Sequence, residues 1–246
     1  MKTKQSKFGK INNIFLKEPS SWENKIFITI DLDWCSDFVL SYTLDILEKS
    51  SIPVTFFVTH ETTLLERMRD NPNFELGIHP NFNPLLNGDF KYGKNVEEVL
   101  DFYKKIVPEA ESVRSHSMTQ NTLIIDTFEK FDLIYDCNTF IPYSSDIKLK
   151  PYKHWTKNIL KIPYFWEDDI HCMYDWMWDV KEFISTDSLK VFDFHPIHIF
   201  LNTERLDRYE KSKNLLYKSE DRMHKLRYNG YGVNNFLKDL LEHSYS

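Results

Sequence analysis

This sequence predicts an α/β fold of about seven strand–helix units, closed or nearly closed into a barrel. Three observations carry that expectation. Short apolar runs recur along the chain, segments of helical character separate them, and 246 residues suit one barrel domain. An open, doubly wound sheet is the alternative with the same alternation.

Residues 1–24 read as an N-terminal arm that ends near the turn signal Pro19-Ser20-Ser21. The first buried strand is expected at Lys25–Asp31 (KIFITID) and the second at Pro53–Thr59 (PVTFFVT). Phe74–Ile78 (FELGI) is the third, and Ser112–Ser115 a short fourth. Asp132–Asp136, Leu160–Phe165 and Leu189–His195 complete the set. Helices are expected between them at Asp37–Lys49, Glu61–Arg69, Asn95–Ile106 and Gln120–Lys130. Glu204–Leu226 and Val233–His243 close the chain, so that 25–246 form a single domain with C-terminal helices.

Composition narrows the function classes. Lys+Arg is 31 and Asp+Glu is 37, a net charge of −6, which argues against the clustered basic footprint of a nucleic-acid groove. Only 6 glycines are present, and none forms a GxGxxG or GxxxxGK phosphate cradle. Cys35, Cys137 and Cys172 are odd in number and widely spaced, which suggests neither a disulfide framework nor a cysteine zinc site. Cys35 reads as a small buried residue. No apolar run approaches the roughly 18 residues of a membrane span, and the basic N-terminus lacks a signal-peptide core. A cytoplasmic location is the expectation.

The polar residues of interest gather at predicted strand ends, where α/β folds build their sites. Asp31 and Asp33 end the first strand, and at i and i+2 their carboxylates enter one pocket if the extended geometry persists. Strand-end acids that cap a helix are the plainer alternative. His79 and Asn83 follow the third strand, where an imidazole and a side chain four residues on can meet one metal, or simply build a turn-rich loop. Arg114 and His116 end the fourth. Trp166, Asp168 and Asp169 follow the sixth, and His195 ends the seventh. His195 is a candidate general acid or base, ranked ahead of His198 by its place at the strand terminus. Tyr164, Trp166, Tyr174, Trp176 and Trp178 could wall a sugar site, although core packing explains such aromatics equally.

The ordered set ITIDLDW (28–34), FFVTHET (56–62), ELGIHPNFNP (75–84), VRSHS (113–117), IPYFWEDD (162–169) and FDFHPIH (192–198) resembles the polysaccharide deacetylases of the NodB-homology type, carbohydrate esterase family 4. More narrowly it is similar to their WbmS-like branch, over roughly Lys25 to Asn202. The resemblance implies a distorted (β/α)7 barrel. It also implies a divalent metal, most often zinc, held by one Asp and two His. By position, Asp31 would be the catalytic base, Asp33 and His79 metal ligands, Arg114 the residue that orients the base, and His195 the general acid. Trp34, His116, Trp166 and Asp169 would contact substrate. The family's second metal histidine is Asn83 here. Three outcomes are open: Asn83 ligates through its oxygen, His116 supplies the missing nitrogen, or the site binds metal poorly.

The reaction implied is hydrolysis of an N-acyl group, most simply N-acetyl, on a sugar of a surface glycan. The substrate would be a nucleotide sugar or a lipid-linked precursor. Two competing readings are a barrel that binds a glycan without turnover and a hydrolase of another C–N bond, a formamide or cyclic amide.

Overall fold

A computed structural model describes residues 7–155, 157–213 and 220–243. Its strands are β1 (Phe8–Gly9), β2 (Ile26–Asp31), β3 (Val54–Val58), β4 (Phe74–Ile78), β5 (Ser112–Val113), β6 (Tyr135–Asp136), β7 (Tyr152–Lys153), β8 (Leu160–Lys161), β9 (Trp166–Glu167) and β10 (Lys190–Phe194). They form one curled sheet in the order β7-β8-β6-β5-β4-β3-β2-β10-β9, with β1 added beside β2. The pairings are parallel except that of β7 with β8. β2, β3, β4 and β10 are buried along their whole length, so their apolar runs are continuous rather than alternating.

The predicted sixth strand, Leu160–Phe165, is confined to Leu160–Lys161, and a separate short strand, Trp166–Glu167, follows it. Leu160 lies opposite Tyr135 on β6, whereas Trp166 lies opposite Phe192 on β10. The chain between them therefore steps from one edge of the sheet to the other and draws the curl toward closure, helped by a bridge between Phe140 and Tyr164. Pro163 sits at the crossing, where its missing N–H costs no ladder hydrogen bond.

Helices cover the outside. Asp37–Ser50 buries Val39, Leu40, Thr43, Leu44 and Leu47, one face of a 3.6-residue repeat. Val96–Ile106 starts at Asn95, whose side chain accepts from the Glu98 amide, and Thr122–Phe128 starts at Asn121 in the same way, accepting from Ile124. The helix expected at Glu61–Arg69 is confined to Leu65–Arg69, because Thr62 and Thr63 turn their hydroxyls onto Asp37. Of the expected Glu204–Leu226 helix, Leu206–Ser212 and Glu220–Lys225 are helical, and residues 214–219 lie outside the described residues. Val233–Glu242 closes the described chain. No helix among the described residues is long and apolar enough to cross a membrane.

Residues 8–14 shut the amino-terminal mouth of the barrel. Phe8 and Gly9 pair with Ile26 and Phe27, and Phe8, Ile11 and Ile14 are buried. The Ile11 amide donates to Thr55 Oγ1 (3.0 Å), the Asn12 amide to Glu75 Oε2 (3.1 Å), and the Tyr135 hydroxyl to the Asn12 carbonyl (3.0 Å). Thr55, Glu75 and Tyr135 stand at or next to the first residues of β3, β4 and β6. The opposite rim, where the strands end, is left to the polar residues.

Candidate functional site

At the bottom of the rim lies Arg114, just past β5 and buried. On β2, Thr29 and Asp31 alternate inward, and Asp193 on β10 lies opposite Thr29. Arg114 Nη1 donates to Asp31 Oδ1 (2.9 Å), to Thr29 Oγ1 (2.9 Å) and to Asp193 Oδ1. Its Nε donates to the Cys137 carbonyl (3.3 Å). The guanidinium is held between the rings of Tyr164 (4.3 Å) and Phe57 (4.6 Å). Burial opposes its charge, but the carboxylates of Asp193 and Asp31 outweigh burial and raise its pKa. Burial also pushes the Asp193 carboxyl well up, with the Arg114 charge working against that shift.

Gly77 on β4 makes room for this arrangement. A Cβ there would stand 2.6 Å from the Ser112 carbonyl oxygen and 3.0 Å from the Phe57 ring that backs Arg114.

Directly above, three donors form a triangle. His79 Nε2 is 3.2 Å from Asp33 Oδ1, His116 Nδ1 is 3.2 Å from the same oxygen, and the two nitrogens are 3.3 Å apart. Ligand atoms on a tetrahedral zinc at about 2.0–2.1 Å stand roughly 3.3 Å from one another. One carboxylate and two imidazoles at this spacing fit a divalent cation. Burial opposes the Asp33 charge, but hydrogen bonds from His116 and His79 hold its carboxyl well below the usual range. His79 Nδ1, on the far side of that ring, is 3.3 Å from Asp31 Oδ2.

His195 caps the helix Pro196–Leu201 directly after β10. Its Nδ1 lies 2.7 Å from Asp168 Oδ1, and its backbone amide donates to Asp168 Oδ2 (2.7 Å). Its Nε2 faces Asp33 Oδ2 at 3.6 Å. Burial favours the neutral ring, but Asp168, and then Asp33 and Asp193, outweigh it and raise the pKa well above the ordinary histidine value. The ring turns its Nε2 into the pocket.

Asp31, Asp33, His79, Arg114, His116, Asp169 and His195 line one pocket. Other expected residues lie elsewhere. Asn83 is turned away from the triangle: its Nδ2 donates to Ser117 Oγ (3.3 Å) and its Oδ1 accepts from Thr119 Oγ1 (3.0 Å). His116, expected against substrate, stands with Asp33 and His79 instead. Trp34 meets His116 edge-on at 5.0 Å. Trp166 is not a pocket wall. It is fully buried, stacked on Phe236 at 4.7 Å, and its indole N–H donates to His171 Nδ1 (3.0 Å), because the β9–β10 pairing turns it into the core. Trp178 packs on His171, while Tyr174 and Trp176 stack on each other at 5.7 Å with Tyr174 exposed. His198 lies behind His195 on Thr203 Oγ1 (3.1 Å). Burial pushes the Cys35 thiol up, which makes it inert.

Asp193, Thr29 and Glu167, which also lines the pocket, are parts of the site that the sequence does not single out, and Asp168 stands among its strand-end residues without a role. Two of them carried a signal. Thr29 stands two before Asp31 and Asp193 two before His195 in otherwise apolar strands, so each shares an inward face with a strand-end residue.

Comparison with known proteins follows the same lines. A family model described as "WbmS-like: Polysaccharide deacetylase" matches residues 28–213. A crystal structure described as a polysaccharide deacetylase involved in O-antigen biosynthesis, WbmS of Bordetella bronchiseptica, is 43% identical. It covers 97% of this chain and 98% of its own, with a TM-score of 0.91. A polysaccharide deacetylase structure from Mycobacterium smegmatis is 14% identical over 89% of each chain, with a TM-score of 0.48. No curated protein matches.

Proposed function

This chain belongs to the WbmS-like polysaccharide deacetylase family, and from that premise we propose that it removes an N-acyl group, most simply N-acetyl, from a sugar of a surface-glycan precursor by metal-dependent hydrolysis. The observation that carries the reading is the meeting, in one pocket, of a buried carboxylate tied to arginine, a carboxylate–imidazole triangle, and a histidine held by a second buried carboxylate. Asp33, His79 and His116 would hold the divalent cation, zinc by the chemistry of the donor set. When bound, it supplies Lewis-acid polarisation of the acyl carbonyl and acidifies water.

The protein's own part is proton management. Arg114 fixes Asp31 through Oδ1, and Oδ2, which stands 3.3 Å from His79 Nδ1, takes a proton from the attacking water. The water oxygen bonds to the acyl carbon. His195 Nε2 then gives its proton to the sugar nitrogen as the C–N bond breaks, yielding a carboxylic acid and a free amine. Asp168 holds the imidazole in the orientation this needs. Ser117, at φ 56 in the pocket wall, puts a turn of backbone beside the acyl group.

Turnover, rather than glycan binding alone, is supported by the geometry of His195, whose Nε2 is turned into the pocket beside the triangle while Asp168 holds its Nδ1 at 2.7 Å. The substrate class we assign is a nucleotide sugar or lipid-linked precursor, handled in the cytoplasm, where the free thiols of Cys35, Cys137 and Cys172 are at home. The test is acetate release from N-acetylated nucleotide sugars and lipid-linked precursors by zinc-loaded protein. Release that vanishes in Asp31→Asn and His195→Ala supports the reading. Absence of release across both substrate classes, with metal bound, sinks it.

A further inference from the structure

Four residues after His79, the side chain best placed by sequence to share its metal is the amide of Asn83, yet that amide faces a different set of partners. Its Nδ2 donates to Ser117 Oγ (3.3 Å) and its Oδ1 accepts from Thr119 Oγ1 (3.0 Å). Those two hydroxyls flank a turn that begins at His116 and that the backbone does not adopt easily. Ser117 and Met118 both have positive φ, 56° and 53°, a region that favours glycine. Without a restraint from outside, such a turn opens. Within the turn, the Met118 amide donates to the Ser115 carbonyl (2.9 Å) and the Thr119 amide to the His116 carbonyl (3.3 Å). From outside, the Ser115 amide donates to Asn138 Oδ1 (2.6 Å), the His116 amide to the Pro80 carbonyl (3.0 Å), and Asn83 spans the outer side. The Asn83 main chain is itself fixed, its backbone N–H donating to Asn81 Oδ1 (3.0 Å) at the start of the short helix Asn83–Leu86. The loop after β4 thus grips the loop after β5 twice, through Pro80 and through Asn83, and the residue delivered between the grips is His116.

We infer that Asn83 is a positioning residue, whose amide clamps the His116–Thr119 turn so that His116, rather than Asn83, supplies the third ligand of the divalent cation. The inference rests on the metal-dependent reading of the pocket and deepens it. An amide oxygen is a weak zinc ligand beside imidazole, whereas an amide is well suited to bridge two hydroxyls. Residues that orient a ligand from behind contribute roughly 10–100-fold to metal affinity.

The test is direct binding of zinc, with cobalt as a spectroscopic stand-in, to metal-stripped full-length protein. His116→Ala should lose the most affinity and the visible band of tetrahedral cobalt. Asn83→Ala and Thr119→Val should each weaken zinc about 10-fold. The pair together should weaken it no further, because both cut one clamp. Asn83→His should not tighten binding. If Asn83→Ala weakens zinc while Thr119→Val and His116→Ala do not, Asn83 is the ligand and the inference fails with the hydrolase reading intact. If the unaltered protein binds neither zinc nor cobalt, the metal-dependent reading falls, and this inference with it.

Discussion

Asp168 holds His195 twice over, with Oδ1 at 2.7 Å from the ring Nδ1 and Oδ2 accepting from the backbone amide at 2.7 Å. One carboxylate thereby fixes both the place of the residue and the face its imidazole shows to the pocket. It also supplies the negative charge that outweighs burial and keeps the ring protonated beyond the ordinary histidine range.

Asp168→Asn should therefore lower kcat by about 100-fold with KM little changed. In the proposed reaction the imidazolium is the active form, and its folded pKa is raised, so activity should persist above the ordinary histidine value and fall at more alkaline pH. In the variant that alkaline limb should move to lower pH. The linked stability has the same sign: it is fully present below the unfolded pKa and is lost as pH rises through the folded one. Acetate release across a pH series reads the first effect, and urea midpoints across the same series read the second.

Asp31→Asn should abolish turnover while zinc remains bound, whereas Asp33→Ala should lose the metal along with the activity. Metal analysis of the two purified variants separates a proton acceptor from a ligand. Equal zinc content in both would contradict the division of labour between these residues.

Removing the metal should lower the melting temperature. Zinc held at 100 times its Kd adds about 2.7 kcal/mol to the folded state. Thermal scans with and without a chelator should show the difference in the unaltered protein and little of it in His79→Ala.

Arg114→Met should destabilise the fold by about 3–5 kcal/mol, since it strands two buried carboxylates. Asp193, already pushed up by burial, should then take a proton in the folded state. An acid whose folded pKa is raised contributes stability at low pH that is lost as pH rises. The variant should accordingly be closest to the unaltered protein in acid and fall further behind toward alkaline pH, as followed by urea unfolding.

Gly77→Ala should cost roughly 1–3 kcal/mol. The new methyl meets the Ser112 carbonyl and the Phe57 ring, and Phe57 cannot retreat without unseating Arg114. A lower urea midpoint together with reduced kcat would register both effects. Loss of stability with unchanged kcat would uncouple Phe57 from the site.

Much of this architecture is legible in the residue order. The buried strands announce themselves as apolar runs, and Asp31, His79, Arg114 and His195 fall where those runs stop. The third corner of the triangle is harder to read, because His116 lies 37 residues from His79 and no local spacing joins them. They meet because β4 and β5 are paired, with Ile78 opposite Val113. Trp166 is ambiguous in the sequence for a different reason. A large aromatic beside acids has the same pattern whether it walls a pocket or fills a core, and only the β9–β10 pairing decides which. The change of strand partner between Lys161, which pairs with β6, and Trp166, which pairs with β10, is likewise a tertiary fact.

That crossing is pinned by amides as well as by the chain: Ile162 donates to the Asp136 carbonyl (2.8 Å), Tyr164 to the Thr139 carbonyl (3.0 Å), and Tyr143 to the Phe165 carbonyl (3.0 Å). A nick at residues 162–165 would cut the covalent path that leads from these anchors to β9. Slack introduced there would reach Asp168 within a few residues, and so arrive at the proton donor before it reached anything else.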